Sequence, residues 1–427
     1  MQQAVELATT GREAVAFKRI YVDASHALTS RRNTGVQRVV RSLCHCLPLV
    51  ESAPRTEVVM LRGTGFSAVP DSDAGGGAKK RLAGILHWPK RALDLVHGRR
   101  HRRPNVEFES GDLLLLPDAY WIKPQIWQAA QAAREQGAFV VSIVYDLIPI
   151  THPQFVSLKG QQAFTEYIEK LATHSDMMLA ISQTVRDELV SFLPKLLESA
   201  EYCQDARFFK LGAQFSYHTG SVRDAIRRMF YSTDQLNPFL MVSTFDPRKN
   251  HSYLLDAFEQ VWQTNPTQKL CLIGSQGGGS EQLLERIAKH PRLNKQLFVV
   301  HDANDAEVAY CYQHARAVIM PSIVEGFGLP IVEALWHGRQ VFASDTPIHR
   351  EVGGDDCTYF DLKSPTSLCK ELLDWQHLPS IDPPHHAAST ACLDWLESST
   401  MLLNCCTKSY SAQQPLVEQQ LRQAQVA

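Results

Sequence analysis

Residues 321–338, PSIVEGFGLPIVEALWHG, place two glutamates, Glu325 and Glu333, eight positions apart around a Gly-Phe-Gly-Leu-Pro turn. Pro330 suits a first helical position, which needs no backbone N–H, and Gly338 suits a left-handed C-terminal cap. Gly326 to Leu329 are therefore the loop before a helix. Free N–H groups and the positive end of the helix dipole make such a start an anion site, and glycine lets a ligand come close to the backbone. Carboxylates beside an anion site make sense when they bind hydroxyls. A sugar nucleotide offers both a diphosphate and many hydroxyls. The apolar run AVIM just before puts the turn at the carboxyl end of a strand, where doubly wound sheets bind their ligands.

Working outward, short apolar runs alternate with amphipathic stretches. RIYVDAS from Arg19, TEVVMLRG from Thr56, DLLLLPD from Asp112, AFVVSIVYD from Ala138 and DMMLAIS from Asp176 read as strands. The pattern weakens from Tyr202 to Asn237 and restarts with PFLMVSTFD, KLCLIGS, QLFVV, ARAVIMPS and RQVFASD. Strands alternating with helices imply parallel sheets covered on both faces. An α/β chain of two doubly wound domains is expected: an N-terminal extension 1–17, a first domain 18–212, a linker 213–237, a second domain 238–400 and a helical tail 401–427. Two helices are expected beyond Pro384, in ACLDWLESSTMLLNC and PLVEQQLRQAQ.

With 427 residues, 44% of them hydrophobic, the chain can bury two cores. Its net charge of −2 argues against nucleic acid as a partner, although residues 79–104 hold nine Lys/Arg against the single acid Asp94. That segment interleaves cations with Leu82, Ile85, Leu86, Trp88, Leu93, Leu95 and Val96, which fits the inner face of an anionic membrane or a solvated loop. Ten cysteines at scattered spacings, Cys44 and Cys46 included, read as reduced and buried. No run of about 18 apolar residues exists, and the first seventeen lack a secretory core, so a cytoplasmic location is expected, at the membrane surface if the basic segment binds lipid. GSQGGGSEQ has no Walker lysine, and DSD at 71–73 is a poor metal motif.

EGFGLPIVE, FDPRKNHSYLLDAF and SDTPIHREVGGDDCTYFD, in this order and spacing, resemble the motifs of the GT-B retaining glycosyltransferases of family 4, the group 1 glycosyltransferases. The likeness covers about residues 18–400 and is nearest the mannosyltransferase branch of polysaccharide and O-antigen synthesis. It implies a metal-independent, cofactor-free enzyme with two Rossmann-like domains facing a cleft. The donor would be a nucleotide-sugar, GDP-mannose in that branch, and the acceptor a glycan or lipid-linked glycan of a surface polysaccharide. Other hexosyl or rhamnosyl transfer, a sugar-nucleotide epimerase and a non-catalytic sugar-binding scaffold are the rival readings.

By the same resemblance Glu325 would bind hexose hydroxyls and Glu333 the ribose, since a carboxylate only accepts. Gly326, Phe327, Gly328 and Leu329 would offer N–H groups to sugar and phosphate oxygens. Lys249, with Arg248 beside it, would neutralise the leaving diphosphate, where charge builds as the bond breaks. Ser243 and Thr244 would lie along the donor; many relatives carry an arginine where Thr244 stands, so Arg248 or the other domain must supply the second charge. Gly35 would pass close to the donor phosphates, and Arg38 would meet phosphate, acceptor or solvent. Tyr145-Asp146 stands where relatives have His-Asp, leaving Tyr145 either a hydroxyl contact to the sugar or a core residue, with Asp146 in the cleft. Ser182 sits at a strand-to-helix turn on the acceptor side, with helix capping as its other reading.

Overall fold

The strand runs become two sheets in the computed structural model, which describes residues 16–30, 34–69, 105–118, 120, 123–197, 201–214, 220–230, 237–376 and 392–424. The basic segment 79–104 and residues 1–15 of the N-terminal extension lie outside the described residues. The first sheet holds β1 (Arg19–Asp23), β2 (Arg55–Arg62), β3 (Gly65–Ala68), β4 (Asp112–Leu116), β5 (Phe139–Val144), β6 (Met177–Ala180) and β7 (Ala206–Phe208) in the order β3-β2-β1-β4-β5-β6-β7. All pairs are parallel except β2 with β3. The second sheet holds β8 (Phe239–Val242), β9 (Leu270–Ile273), β10 (Leu297–Val300), β11 (Val318–Met320), β12 (Val341–Ser344) and β13 (Cys357–Phe360) in the order β10-β9-β8-β11-β12-β13, wholly parallel.

Central strands are apolar throughout because helices cover both of their faces: every residue of β4, β5 and β9 is buried. The three strands that sequence patterning missed, β3, β7 and β13, all lie at sheet edges. Each is short and partly exposed, so its residues carry little of the apolar signal. All ten cysteines are free thiols, and Cys44 and Cys46 are buried. No described helix is long and apolar enough to cross a membrane.

Two domain boundaries differ from the sequence reading. The expected linker contains the helix Asp224–Phe230, and Arg223 before it donates to Glu307 at 2.6 Å and to Asp302 at 3.0 Å in the second domain. At the other end, the boundary at 400 falls inside one continuous helix, Trp395–Ala424, where two had been expected. This helix returns to the first domain. Trp395 Nε1 donates to the Gln214 carbonyl at 2.9 Å, Ser398 to Lys210 at 2.7 Å, and Gln413 Nε2 to Asp176 at 3.1 Å. Tyr410 lies 4.7 Å from Phe17 and 5.3 Å from Phe139, ring to ring. The apolar face of the helix packs against the helix Gly35–Cys46, the turn Leu47–Leu49 and the edge strand β7 of the first domain.

Truncating Tyr410 leaves a hole between Phe17 and Phe139. Tyr410→Ala is expected to cost about 3 kcal/mol in urea unfolding. An unchanged midpoint would mean that the helix only rests on the surface.

Candidate active site

In a doubly wound sheet the crevice opens where the strand order reverses, here between β8 and β11. After β8 the chain makes a tight turn, Pro247–Lys249, capped by Asp246, whose carboxylate accepts from Arg248 N at 3.0 Å. Asn250 in the left-handed region then admits the helix His251–Thr264. Arg248 and Lys249 are thus set on a short stiff turn. After β11 the loop 321–328 carries Glu325, and Ile323 N donates to the Arg248 carbonyl at 2.8 Å, fastening the two loops together.

The result is a half-buried ion cluster. Lys249 Nζ binds one oxygen of Glu325, and Arg248 Nη1 donates to the other at 3.1 Å. Arg248 also reaches the Val324 carbonyl at 3.3 Å. Asp146 of the first domain lies within electrostatic reach of all three, and burial raises its pKa. Burial alone would push the Glu325 carboxyl up as well, but Lys249 and Arg248 outweigh it and hold it at about 2. Its contribution to stability is therefore complete above pH 4.5, its ordinary value, and is lost as the pH falls through about 2.

Beside the cluster the motif loop meets the first domain. A Cβ on Gly326 would stand 1.9 Å from the Tyr145 carbonyl oxygen and 3.0 Å from Asp146 Cβ, so only glycine fits. Phe327 is buried, and Gly328, at φ +96°, turns the chain into the helix Leu329–Trp336. Leu329 faces Gly35, which opens the helix Gly35–Cys46 of the first domain under a Thr34/Gln37 capping box. One turn on, Glu333 is buried and shared: one oxygen pairs with Arg38 across the cleft, the other accepts from Tyr312 at 2.9 Å. Burial raises its pKa, with Arg38 and Tyr312 pulling the other way.

Tyr145 and Ser182 each take the second of their two expected places, Ser182 as a helix cap and Tyr145 against its own domain. Tyr145 donates its hydroxyl to the Pro117 carbonyl of its own domain, and burial drives its pKa well up. Ser182 is fully buried; its hydroxyl accepts from Val185 N at 3.1 Å, capping the helix Gln183–Leu196, and donates to the Gly326 carbonyl at 2.9 Å. It is a joint between the domains. Arg38 faces Glu333, not solvent. Ser243 lies 3.2 Å from His251 Nε2, while Thr244 is exposed at the end of β8.

Three further residues were not singled out. Glu351, on the helix Pro347–Gly353, caps the amino end of Gln183–Leu196 from the opposite domain, accepting from Gln183 N at 2.6 Å and Thr184 N at 2.8 Å. Tyr312, on the helix Asp305–His314, holds Glu333. His349 lies buried against Gly328. All three stand in segments whose local pattern is that of an ordinary helix.

Residues 222–387 match the family described as glycosyl transferases group 1. Among curated proteins the chain is 28% identical over 392 residues to the serotype-specific mannosyltransferase WbdA of Escherichia coli, covering 90% of this chain and 46% of that one. It is 22% identical to the O-antigen chain mannosyltransferase RfbU of Salmonella typhimurium, over 65% of this chain and 76% of that one. The chain thus spans about half the length of the WbdA relatives that it matches. Among solved structures, HepE of Anabaena, in complex with UDP and glucose, superposes with a TM-score of 0.58 at 15% identity, covering 92% and 99% of the two chains. Sucrose-phosphate synthase of Thermosynechococcus elongatus gives 0.54 at 18% identity, over 95% and 100%. The fold is GT-B.

The ion cluster makes a direct prediction. Glu325→Ala leaves two part-buried cations without the carboxylate that pairs with both and is expected to cost about 2 kcal/mol of stability, below the fully buried case because both cations keep some contact with solvent. Thermal melting should register the loss, and millimolar nucleoside diphosphate should restore part of it by supplying the missing charge.

Proposed function

Given that residues 222–387 are a group 1 glycosyltransferase domain, we propose that the chain transfers a hexose, with retention of configuration, from a nucleotide-sugar to a glycan or lipid-linked acceptor of a surface polysaccharide. Mannose from GDP-mannose is the leading donor, supported by the similarity to WbdA and RfbU. One observation carries the reading: Lys249 and Arg248 stand locked at the switch point beside the start of the helix Leu329–Trp336, with the Glu325 carboxylate between them.

Such a site can hold a diphosphate and its sugar together. The two cations and the free N–H groups at the helix start take the phosphate charge, which grows as the glycosidic bond breaks. Glu325, drawn off its cations by the arriving anion, accepts hydroxyls of the hexose. Each oxygen of Glu333 keeps a second lone pair beside its contact to Arg38 or Tyr312, and the ribose takes these. The acceptor hydroxyl attacks on the face the diphosphate leaves, giving its proton to the departing phosphate oxygen. Paired cations do the work that a divalent metal does elsewhere, so we propose metal-independent turnover. Access to a lipid-linked acceptor would come through the basic segment 79–104 at an anionic inner membrane surface.

Incubating the protein with GDP- and UDP-hexoses, with and without lipid extract, tests the reading. Nucleoside diphosphate release that needs acceptor and persists in EDTA is expected, with Lys249→Ala lowering kcat on the order of 10²–10³-fold. An acceptor-free epimerised product, or binding without turnover, would replace this reading by the epimerase or the scaffold. For the membrane contact, vesicle flotation should depend on anionic lipid and weaken with salt.

A further inference from the structure

His349 sits on the helix Pro347–Gly353 beside the motif turn. Its ring is fully buried, on the helix that follows β12. Nδ1 lies 3.0 Å from the Ser344 carbonyl oxygen and 3.0 Å from Ser344 Oγ. A carbonyl can only accept, so Nδ1 carries the hydrogen. Ser344 Oγ sends its own hydrogen to the Ser322 carbonyl at 2.6 Å and is left to accept. The tautomer is thereby fixed by two backbone carbonyls, and Nε2 bears a lone pair.

That lone pair has no hydrogen-bond partner among the described residues, although the atom is buried. Buried polar atoms are satisfied almost without exception, so one left over beside a ligand cleft calls for an explanation. The ring edge holding Nε2 faces the motif turn: a Cβ on Gly328 would lie 3.5 Å from Cδ2 and 3.8 Å from Nε2. Glu325 and Lys249 are near enough to act on the ring electrostatically, and burial keeps it below the ordinary imidazole pKa, hence neutral. A neutral acceptor repels phosphate oxygens and takes an O–H. A sugar held by Glu325, which acts on the ring electrostatically, would bring such O–H groups to it.

We propose that His349 is a binding residue for the transferred hexose, its Nε2 accepting a hydrogen bond from one sugar hydroxyl beside Gly328. The inference rests on the donor site proposed above and adds a second hydroxyl acceptor to it. Glu325, being ionised, can only accept as well, so the two groups read hydroxyl positions and not charge.

The test is calorimetric titration of the full chain with GDP and GDP-mannose, and with UDP and UDP-glucose. His349→Asn keeps a donor near Nδ1 and removes the acceptor, whereas His349→Gln returns an oxygen close to the Nε2 position. For the nucleotide whose sugar form binds the unmodified protein more tightly, H349N should lose about tenfold in sugar-nucleotide affinity, the equivalent of one hydrogen bond, with diphosphate affinity unchanged. H349Q should recover most of that loss. His349→Phe, similar in shape and without a lone pair, should behave as H349N and serves if H349N melts early. Unaltered sugar-nucleotide affinity in H349N and H349F, or equal losses for diphosphate and sugar nucleotide, would overturn the proposal while leaving the donor site standing. Failure of the unmodified chain to bind any of the four would overturn the donor site itself, and this inference with it.

Discussion

The two domains meet where Gly326 presses against the backbone of Tyr145 and Asp146, a distance that any side chain would forbid. The other cross-cleft contacts gather around that approach. It brings Asp146 to the Lys249, Arg248 and Glu325 cluster, sets the Gly326 carbonyl on the Ser182 hydroxyl, and lets Arg38 reach Glu333. Glu351 then reaches the exposed N–H groups at the start of Gln183–Leu196. A carboxylate at a helix start gains from both hydrogen bonds and the dipole, so the contact favours closure without adding apolar area. Backbone meeting backbone sets the geometry, and charge holds it.

The same charges explain how a site built to receive an anion can exist in a folded core. Two half-buried cations side by side would repel each other and lose part of their hydration. Glu325 serves as the internal counter-ion, kept ionised by the cations it offsets. Because the turn Pro247–Lys249 and the loop 321–328 are tied by a backbone hydrogen bond, the cations need little rearrangement to face a new partner. Glu333 and Arg38 repeat the arrangement one helical turn away, but between domains. Opening the cleft would therefore break one ion pair and leave the other intact.

The interior of both sheets was legible in the sequence because central strands are uniformly apolar, and the motif loop because proline and glycine mark helix ends by fixed backbone rules. Lys249, Arg248 and Glu325 could be placed together only through the family's motif order, since 76 residues separate Lys249 from Glu325. What stayed hidden was partnership. Ser182 spends its hydroxyl on a carbonyl 144 positions away, Tyr145 on one 28 away, and Arg38 finds its glutamate at 295. No local pattern records such a pairing. Edge strands escaped for a different reason: β3, β7 and β13 are too short and too exposed to alternate clearly.

The return of the helix Trp395–Ala424 to the first sheet has a consequence for how the chain is made. Phe17 and Phe139 are made before the second domain, yet the ring that covers them, Tyr410, comes only after it. At ordinary elongation rates the interval between Phe139 and Tyr410 is roughly 10–50 s. Through that time the first domain carries an uncovered apolar face on a nascent chain. Its two halves are joined in space but separated in birth, so the order of translation, and not the order of domains, decides when that face is covered.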